Sequence, residues 1–514
     1  MTKTETTQQP FGKIRGALWP IYGNEMKKFL PMGIIMFLVL FNYTILRDIK
    51  DVLIVTAPGA GAPVLSFLKG WAVMPAAIAF VVLYTKMSNV FSQERIFYIV
   101  VSTFVAFFGA FALILYPTQE LLHPSQEVIT GYQEQYPNLR FIFPVWGLWT
   151  NSLFYILAEL WGSVMISLLF WQFANQIVRT QEAKRFYAMF GLIANIALIF
   201  SGETIKLCSN IVKNSGLEEY LGWGIALNYM MGIVVAFGIL AMIIYRWMHT
   251  SVLTDKQYYN PEEVVGAKKK EKSKLSVGES LKYIFTNPYI ACIAILVMSY
   301  GISINLIEAV WKDQLRQAFP NKLDYAHFMG QFSQNTGIAT MLLIMFTKGV
   351  VRKFGWFVGA IVTPLITIIT GGLFFAFVLY QDVMNPLVAF TGMTATLLAA
   401  WIGSFQNFLT KGTKYSQFDP TKEMAYIPLD AELRTKGKAA VDVIGGRLGK
   451  AAGGYIQNAI YIITGTKDVI TVAPYFAGFV AVIVGLWVWA VGALGVRYTK
   501  MISDTEGKAA AAKV

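Results

Sequence analysis

Apolar residues occur in about twelve long runs separated by polar breaks, at 30–48, 64–85, 95–116, 142–174, 186–206, 222–248, 287–310, 327–348, 355–380, 386–410, 437–463 and 472–497. A hydrocarbon core about 30 Å thick takes roughly 20 apolar residues per helix. With no water there to satisfy backbone groups, a run of this kind must close its hydrogen bonds internally as a helix. The pattern therefore predicts an all-α membrane protein of about twelve transmembrane helices. Its longest and most charged break lies near 249–280 and leaves six runs on each side. The expected organisation is an N-terminal segment 1–28, a six-helix half 29–248, a basic loop 249–286, a second half 287–498 and a tail 499–514.

Short strings recur between the halves. LRDIKD (Leu46 to Asp51) closes the first run and EAVWKDQLR (Glu308 to Arg316) closes the seventh, so Lys50-Asp51 matches Lys312-Asp313. AELWGS (Ala158 to Ser163) in the fourth matches AAWIGS (Ala399 to Ser404) in the tenth. Parallel repeats of six helices are the architecture of major-facilitator-type carriers, whose site lies between the halves near the midplane.

Composition agrees: the chain is 55% hydrophobic and 14% charged, more apolar surface than a soluble domain could bury. Its net charge of +13 gives an orientation. Lys13, Arg15, Lys27 and Lys28 precede the first run, and Arg179, Lys184 and Arg185 follow the fourth. Lys268, Lys269, Lys270, Lys272 and Lys274 fill the central break, and Arg497 and Lys500 follow the last run. Positive charge gathers on the cytoplasmic side, which places both termini there and predicts a multi-pass membrane protein. The basic loop is read as facing anionic lipid rather than nucleic acid. Residues 1–28 contain no signal-peptide core, so the first helix is expected to serve as its own insertion signal. Cys208 and Cys292 are far apart and suggest neither a disulfide nor a thiolate metal site. The histidines show no ligand spacing, and no metal or cofactor is expected. GGRLGK is not a phosphate loop, since Ile444 stands at the first glycine position and Ala451 follows Lys450. The glycines from Gly445 to Gly454 are read as close helix packing.

The chemistry lies in the charges placed inside apolar runs. Such charges are costly, face the protein interior or a watery path, and mark a substrate route. Arg47 and Lys50 share a helix face, with Asp48 and Asp51 beside them as local partners. Lys69 has no acidic neighbour within a turn, although snorkelling would also explain it. Glu159 lies too deep to snorkel. Glu308 and Lys312 are four apart and could pair. Arg447 and Lys450 lie three apart, downstream of Lys436 and Lys438. Most of these are cations, which points to an anionic cargo. Polyphosphate suits such a lining, since Arg offers a bidentate fork and Lys a point charge. With 37 Phe and 25 Tyr, the sequence offers too many aromatics to single out one that would stack on a base.

The strings ILRDIKDVLIV (Ile45 to Val55), LFYILAELWGSV (Leu153 to Val164), FWQFANQI (Phe170 to Ile177), YGISINLIEAVWK (Tyr300 to Lys312) and FDPTKEMAYIPLD (Phe418 to Asp430) closely resemble the ATP/ADP translocases of plastids and obligate intracellular bacteria. The resemblance runs from about residue 30 to 500 in the same order. It implies a twelve-helix carrier exchanging external host ATP for internal ADP, with ATP and ADP as partners. Some members import several nucleotides instead, or couple to protons. The family's four functionally important charges would fall on Lys69, Glu159, Glu308 and Lys450.

The expectation is thus a monomeric ATP/ADP antiporter without enzymatic activity, with phosphate as a further candidate cargo. Lys69, Lys450, Arg47, Lys50, Lys312, Arg447 and Lys436 would hold phosphates, and Glu159, Glu308 and Asp51 would balance charge or gate. The alternatives are a proton-coupled importer of several nucleotides, an integral-membrane enzyme acting on nucleotides or lipid phosphates, and a sugar or peptide carrier of the same fold. The enzyme lacks a metal cluster, a nucleophile with its base, and a P-loop.

Overall fold

The computed structural model describes residues 11–12, 15–16, 19–259, 286–347, 349–430, 433, 437–438, 441 and 446–511. The apolar runs become α1 (Met26–Val55), α2 (Ala62–Val90), α3 (Gln93–Leu115), α4 (Trp149–Ile177), α5 (Thr180–Lys213), α6 (Glu219–Ser251), α7 (Pro288–Ala318), α8 (Lys322–Thr347), α9 (Val350–Leu379), α10 (Ala395–Ala425), α11 (Gly446–Thr464) and α12 (Val469–Ala511). The starts follow local chemistry. Asn287 accepts hydrogen bonds from the amides of Tyr289 and Ile290 at the head of α7, Ser92 caps α3 and Thr394 caps α10. The α1–α2 turn needs glycine at Gly61, whose φ is +123°, and a Cβ there would meet the Arg316 guanidinium.

Among the described residues, nine helices are long and apolar enough to cross a membrane, and one bent pair makes a possible tenth. That pair is the expected run 386–410. It breaks at Gly392, φ +66°, into Gln381–Thr391 and α10, bent by 91°. The two remaining helices, α8 and α11, are the less apolar ones. In α8 the polar residues Ser333, Thr336 and Thr340 are buried, so a partner helix rather than lipid surrounds them.

The halves repeat in their packing. α1 packs on α4, α5 and α6 as α7 packs on α10, α11 and α12, and α3 meets α6 as α9 meets α12. The matched strings mark equivalent places. The Trp161 indole donates to the Val39 carbonyl (3.1 Å), and the Trp311 indole donates to the Ala400 carbonyl (2.9 Å). Gly162 leaves room for the Tyr43 ring of α1, and Gly403 leaves room for the Trp311 ring of α7.

Among the described residues the two most extensive crossings between the halves are α5 with α8 and α2 with α11. Both depend on missing side chains. A Cβ on Gly330 would lie 2.7 Å from the Gly202 carbonyl oxygen, and one on Gly337 would lie 2.9 Å from that of Asn195. On α11, a Cβ at Gly449 would lie 3.0 Å from the Met298 backbone, and one at Gly454 would lie 3.3 Å from the Ser66 carbonyl oxygen. Close backbone approach over small residues is how helices associate in lipid. The glycine-rich helix is therefore a packing element between α7 and α2.

Gly330→Ala should lower the melting temperature of the purified protein, because overpacking against rigid backbone costs about 1–3 kcal/mol. Gly485→Ala, where a Cβ would meet nothing within 4 Å, should leave it unchanged.

Candidate functional site

The charges flagged in the sequence converge on one place. In α1 the Lys50 ammonium is 2.8 Å from Asp51, 3.0 Å from Glu159 of α4, and 4.0 Å from the centre of the Tyr155 ring. Asp51 uses its other oxygen to bind Lys312 of α7 at 2.8 Å. Lys312 lies 3.9 Å from Glu308, which in turn binds Lys411 of α10 at 2.8 Å. The result is a ladder of alternating sign, Glu159–Lys50–Asp51–Lys312–Glu308–Lys411, running from one half to the other. Beside it, Arg47 binds Asp48 at 3.0 Å and donates to the Ser333 hydroxyl of α8 at 2.7 Å, while Ser333 donates to Asp48 at 2.5 Å. Lys69 of α2 is held by the neutral Asn305 side chain of α7, at 2.8 Å.

The ladder is graded in exposure. The side chains of Lys50, Asp51 and Lys312 are 3%, 4% and 6% exposed, whereas those of Glu159, Arg47 and Lys411 are 28%, 24% and 20% exposed. Lys50 is five residues from the end of α1, about 7 Å at 1.5 Å per residue. The buried core of the ladder thus lies toward the end where α1 and α5 finish and α2 and α8 begin. Among the described residues, every hydrogen bond between the halves lies at mid-helix or nearer that end. Lys213 of α5 meets Asp324 of α8 at 2.7 Å, Asn138 donates to the Ile462 carbonyl at 2.6 Å, and Lys322 reaches Tyr116 at 3.4 Å. This is a closed end, with the ladder as its inner layer.

Glu159, Glu308, Asp51, Arg47, Lys50, Lys69 and Lys312 are thus brought together. Lys312 finds its near partner in Asp51, and only a more distant one in Glu308. Arg447 and Lys450 lie on α11, but their side chains are outside the described residues, as is Lys436 altogether. Lys438 pairs with Glu423 beyond the ladder. Lys411, Asn305 and Ser333 were not expected. Lys411 fell just past the end of the run 386–410, where a cation reads as a loop residue, yet α10 continues to Ala425. Asn305 and Ser333 carry no charge and so gave no signal. The described cluster holds five cations (Arg47, Lys50, Lys69, Lys312, Lys411) against four carboxylates (Asp48, Asp51, Glu159, Glu308). Among the described residues no group of acids, histidines and cysteines could hold a metal ion.

A family model described as "TLC ATP/ADP transporter" matches residues 4–498. ADP,ATP carrier protein 1 of Chlamydia pneumoniae is 46% identical over 488 residues, 95% of this chain and 94% of that one. ADP,ATP carrier protein 1 of Rickettsia bellii is 43% identical over 98% of this chain and 99% of its own. The chloroplastic ADP,ATP carrier protein 1 of Arabidopsis thaliana is 44% identical over 95% of this chain and 77% of its own. Among solved structures, the nucleoside transporter NupG superimposes with TM-score 0.54 at 13% identity, covering 90% of this chain and 98% of that one. The xylose transporter XylE of E. coli gives 0.53 at 12% identity, covering 91% and 95%. These last two establish a shared carrier fold.

Asp51→Asn should lower the melting temperature sharply. It leaves two buried ammonium groups without their shared carboxylate, a loss of about 3–5 kcal/mol. The exposed Glu127→Gln serves as a control and should have no effect.

Proposed function

Since this chain belongs to the family of TLC ATP/ADP transporters, we propose that it is an antiporter that exchanges external ATP for internal ADP by alternating access. The observation that carries the reading is the ladder itself. It joins the halves at their inner seam and holds cations that carboxylates already neutralise. An incoming polyphosphate meets Lys69, which among the described residues is held by a neutral amide, and competes with Glu159 for Lys50 and with Glu308 for Lys411. Charge-assisted bonds to phosphate oxygens are strong enough to replace those to carboxylates. Arg47 is placed to join them, and Lys450, Arg447 and Lys436 are further candidates from the sequence.

The Asp51–Lys312 bridge links α1 to α7 and so must part before the closed end can open. Asp51, Glu159 and Glu308 therefore gate the path by giving up or regaining their cations as substrate arrives and leaves. The basic segment before α1, the loop 249–286 and the tail 499–514 support cytoplasmic termini in a bacterial inner membrane. In that orientation the closed end faces outward.

ATP carries about one more negative charge than ADP near neutral pH: the terminal phosphate of each ionises near pH 6, and ATP has one further phosphate that is always ionised. An inside-negative potential opposes its uptake by about 2.3 kcal/mol per 100 mV. Phosphate leaving with ADP would cancel the imbalance.

Labelled ATP should accumulate, chemically unchanged, in ADP-loaded proteoliposomes and not in empty ones. Uptake into empty vesicles driven by a pH gradient would point to the proton-coupled importer. Lys69→Ala should reduce ATP uptake roughly ten- to a hundredfold, the loss of one charge-assisted contact of about 1.5–3 kcal/mol. For Glu308→Gln, a gate predicts slowed exchange per folded molecule at unchanged melting temperature. Intact exchange with a lowered melting temperature would make Glu308 a brace.

A further inference from the structure

α10 loses its α-helical register just past the ladder. Its segment Lys414–Phe418 is π-helical, a widened turn that often marks a functional site. Two other helices of the charged cluster also widen. The π-helical segment of α4 is Gly162–Phe170, just after Glu159, and that of α2 is Leu68–Val73, which contains Lys69. In α10 the widened turn presents Tyr415, 49% exposed in a helix that packs on α7, α8 and α9. Among the described residues its ring meets no other ring, only the Lys414 ammonium. Tyr415 follows Lys411 by four residues and so shares its face.

α1 repeats the arrangement from the other half. Tyr43 precedes Arg47 by four residues, and the Arg47 guanidinium lies 5.9 Å from the Tyr43 ring centre. Tyr43 can lie flat against α4 because Gly162 has no side chain. α1 and α10 run in opposite directions, so each tyrosine sits one turn, about 5.4 Å, below its cation, Arg47 beside the ladder and Lys411 within it, on the side away from the closed end. The two cations converge on neighbouring residues of α8, Arg47 on the Ser333 hydroxyl at 2.7 Å and Lys411 over the Phe332 ring at 4.9 Å. The Lys414 ammonium lies 4.4 Å from the Tyr415 ring centre and 5.6 Å from that of Tyr300, and the Tyr300 ring stacks on Phe418 at 5.9 Å. One aromatic shelf therefore borders the ladder on the side away from the closed end.

We propose that Tyr415, with Tyr43 opposite, is the platform on which the nucleobase stacks while the phosphates occupy the ladder. This rests on the phosphate-binding role proposed for the ladder, and adds the element that separates a nucleotide from a bare polyphosphate. A ribose is the right size to bridge the single helical turn between them. Stacking uses the π-face common to all bases, so the platform accepts purines of either kind and leaves finer choice to other contacts.

The test is calorimetric binding to the purified full-length protein, with ADP, GDP and inorganic pyrophosphate as probes. Stacking on one aromatic residue is worth about 1–3 kcal/mol per base. Tyr415→Ala should therefore weaken ADP and GDP alike by roughly 5- to 150-fold and leave pyrophosphate unchanged, and Tyr415→Phe should bind like the parent. Parent-like ADP binding by Tyr415→Ala overturns the platform while leaving the exchange reading intact. So does a Tyr415→Phe as weak as Tyr415→Ala, which would make the hydroxyl the contact. Equal loss of pyrophosphate also overturns it, because the residue would then act on the ladder. A parent that binds none of the three probes overturns the exchange reading, and the platform with it.

Discussion

One carboxylate, Asp51, is shared by two ammonium groups from different halves of the molecule, Lys50 of α1 and Lys312 of α7, each at 2.8 Å. A buried ion pair is poor evidence of net stabilisation, because desolvation offsets much of the attraction. What it fixes is register. Lys50 and Lys312 cannot both remain in that apolar setting unless α1 and α7 meet at this height. The ladder extends the constraint outward to Glu159 on α4 and to Glu308 and Lys411 on α7 and α10. Four helices, two from each half, are thereby tied to one level.

The rest of the closed end follows from that level. Above the ladder the halves touch through glycine crossings, short polar contacts and one buried ring pair, Phe141 edge to face with Tyr461 at 5.0 Å. Gly202 against Gly330 and Gly454 against Ser66 bring backbones together without knobs that would have to be pulled from holes. Such a seam holds shut by many small terms and can part as a unit. The ladder is its most strongly bonded layer and, in the proposed function, the one a polyphosphate reaches. A ligand shifts a conformational equilibrium only by binding one state better than the other. A phosphate that takes Lys50 or Lys411 from its carboxylate weakens the layer that joins the halves. Binding and opening are then two aspects of one exchange of partners. A neutral ladder suits this better than the surplus of cations implied by a count of residues, since an unbalanced buried surplus would itself force the halves apart.

The internal repeat gives the two halves the same devices with different side chains. Gly162 receives Tyr43 and Gly403 receives Trp311, and both neighbouring tryptophans donate to backbone of the partner helix. The ladder departs from the symmetry. Its acids on α4 and α7 are not repeat equivalents, and Lys411 of α10 lies outside the matched strings. Lys50 and Lys312 keep the repeat while their partners break it, which suits a polar and directional cargo.

By itself the sequence determined the class, the order of the helices and most of the charged site. Apolar runs of spanning length leave no alternative to helices, and a charge inside such a run must find company, so Lys50, Asp51, Glu159, Glu308 and Lys312 announced themselves. It also carried the family, through strings kept in order along almost the whole chain. Only the tertiary structure decided who pairs with whom. Spacing offered Lys312 to Glu308, four residues away, yet Asp51 from the other half lies closer, because α1 and α7 cross there. Lys411 was hidden by the polar end of its run, where hydropathy fades before the helix does. Asn305 and Ser333 were invisible because an uncharged polar residue in a helix gains meaning only from what faces it. The two tyrosines beside the ladder were lost among many aromatics. What sets them apart is position, one turn from a paired cation on each side of the seam, and position is a property of the packed helices alone.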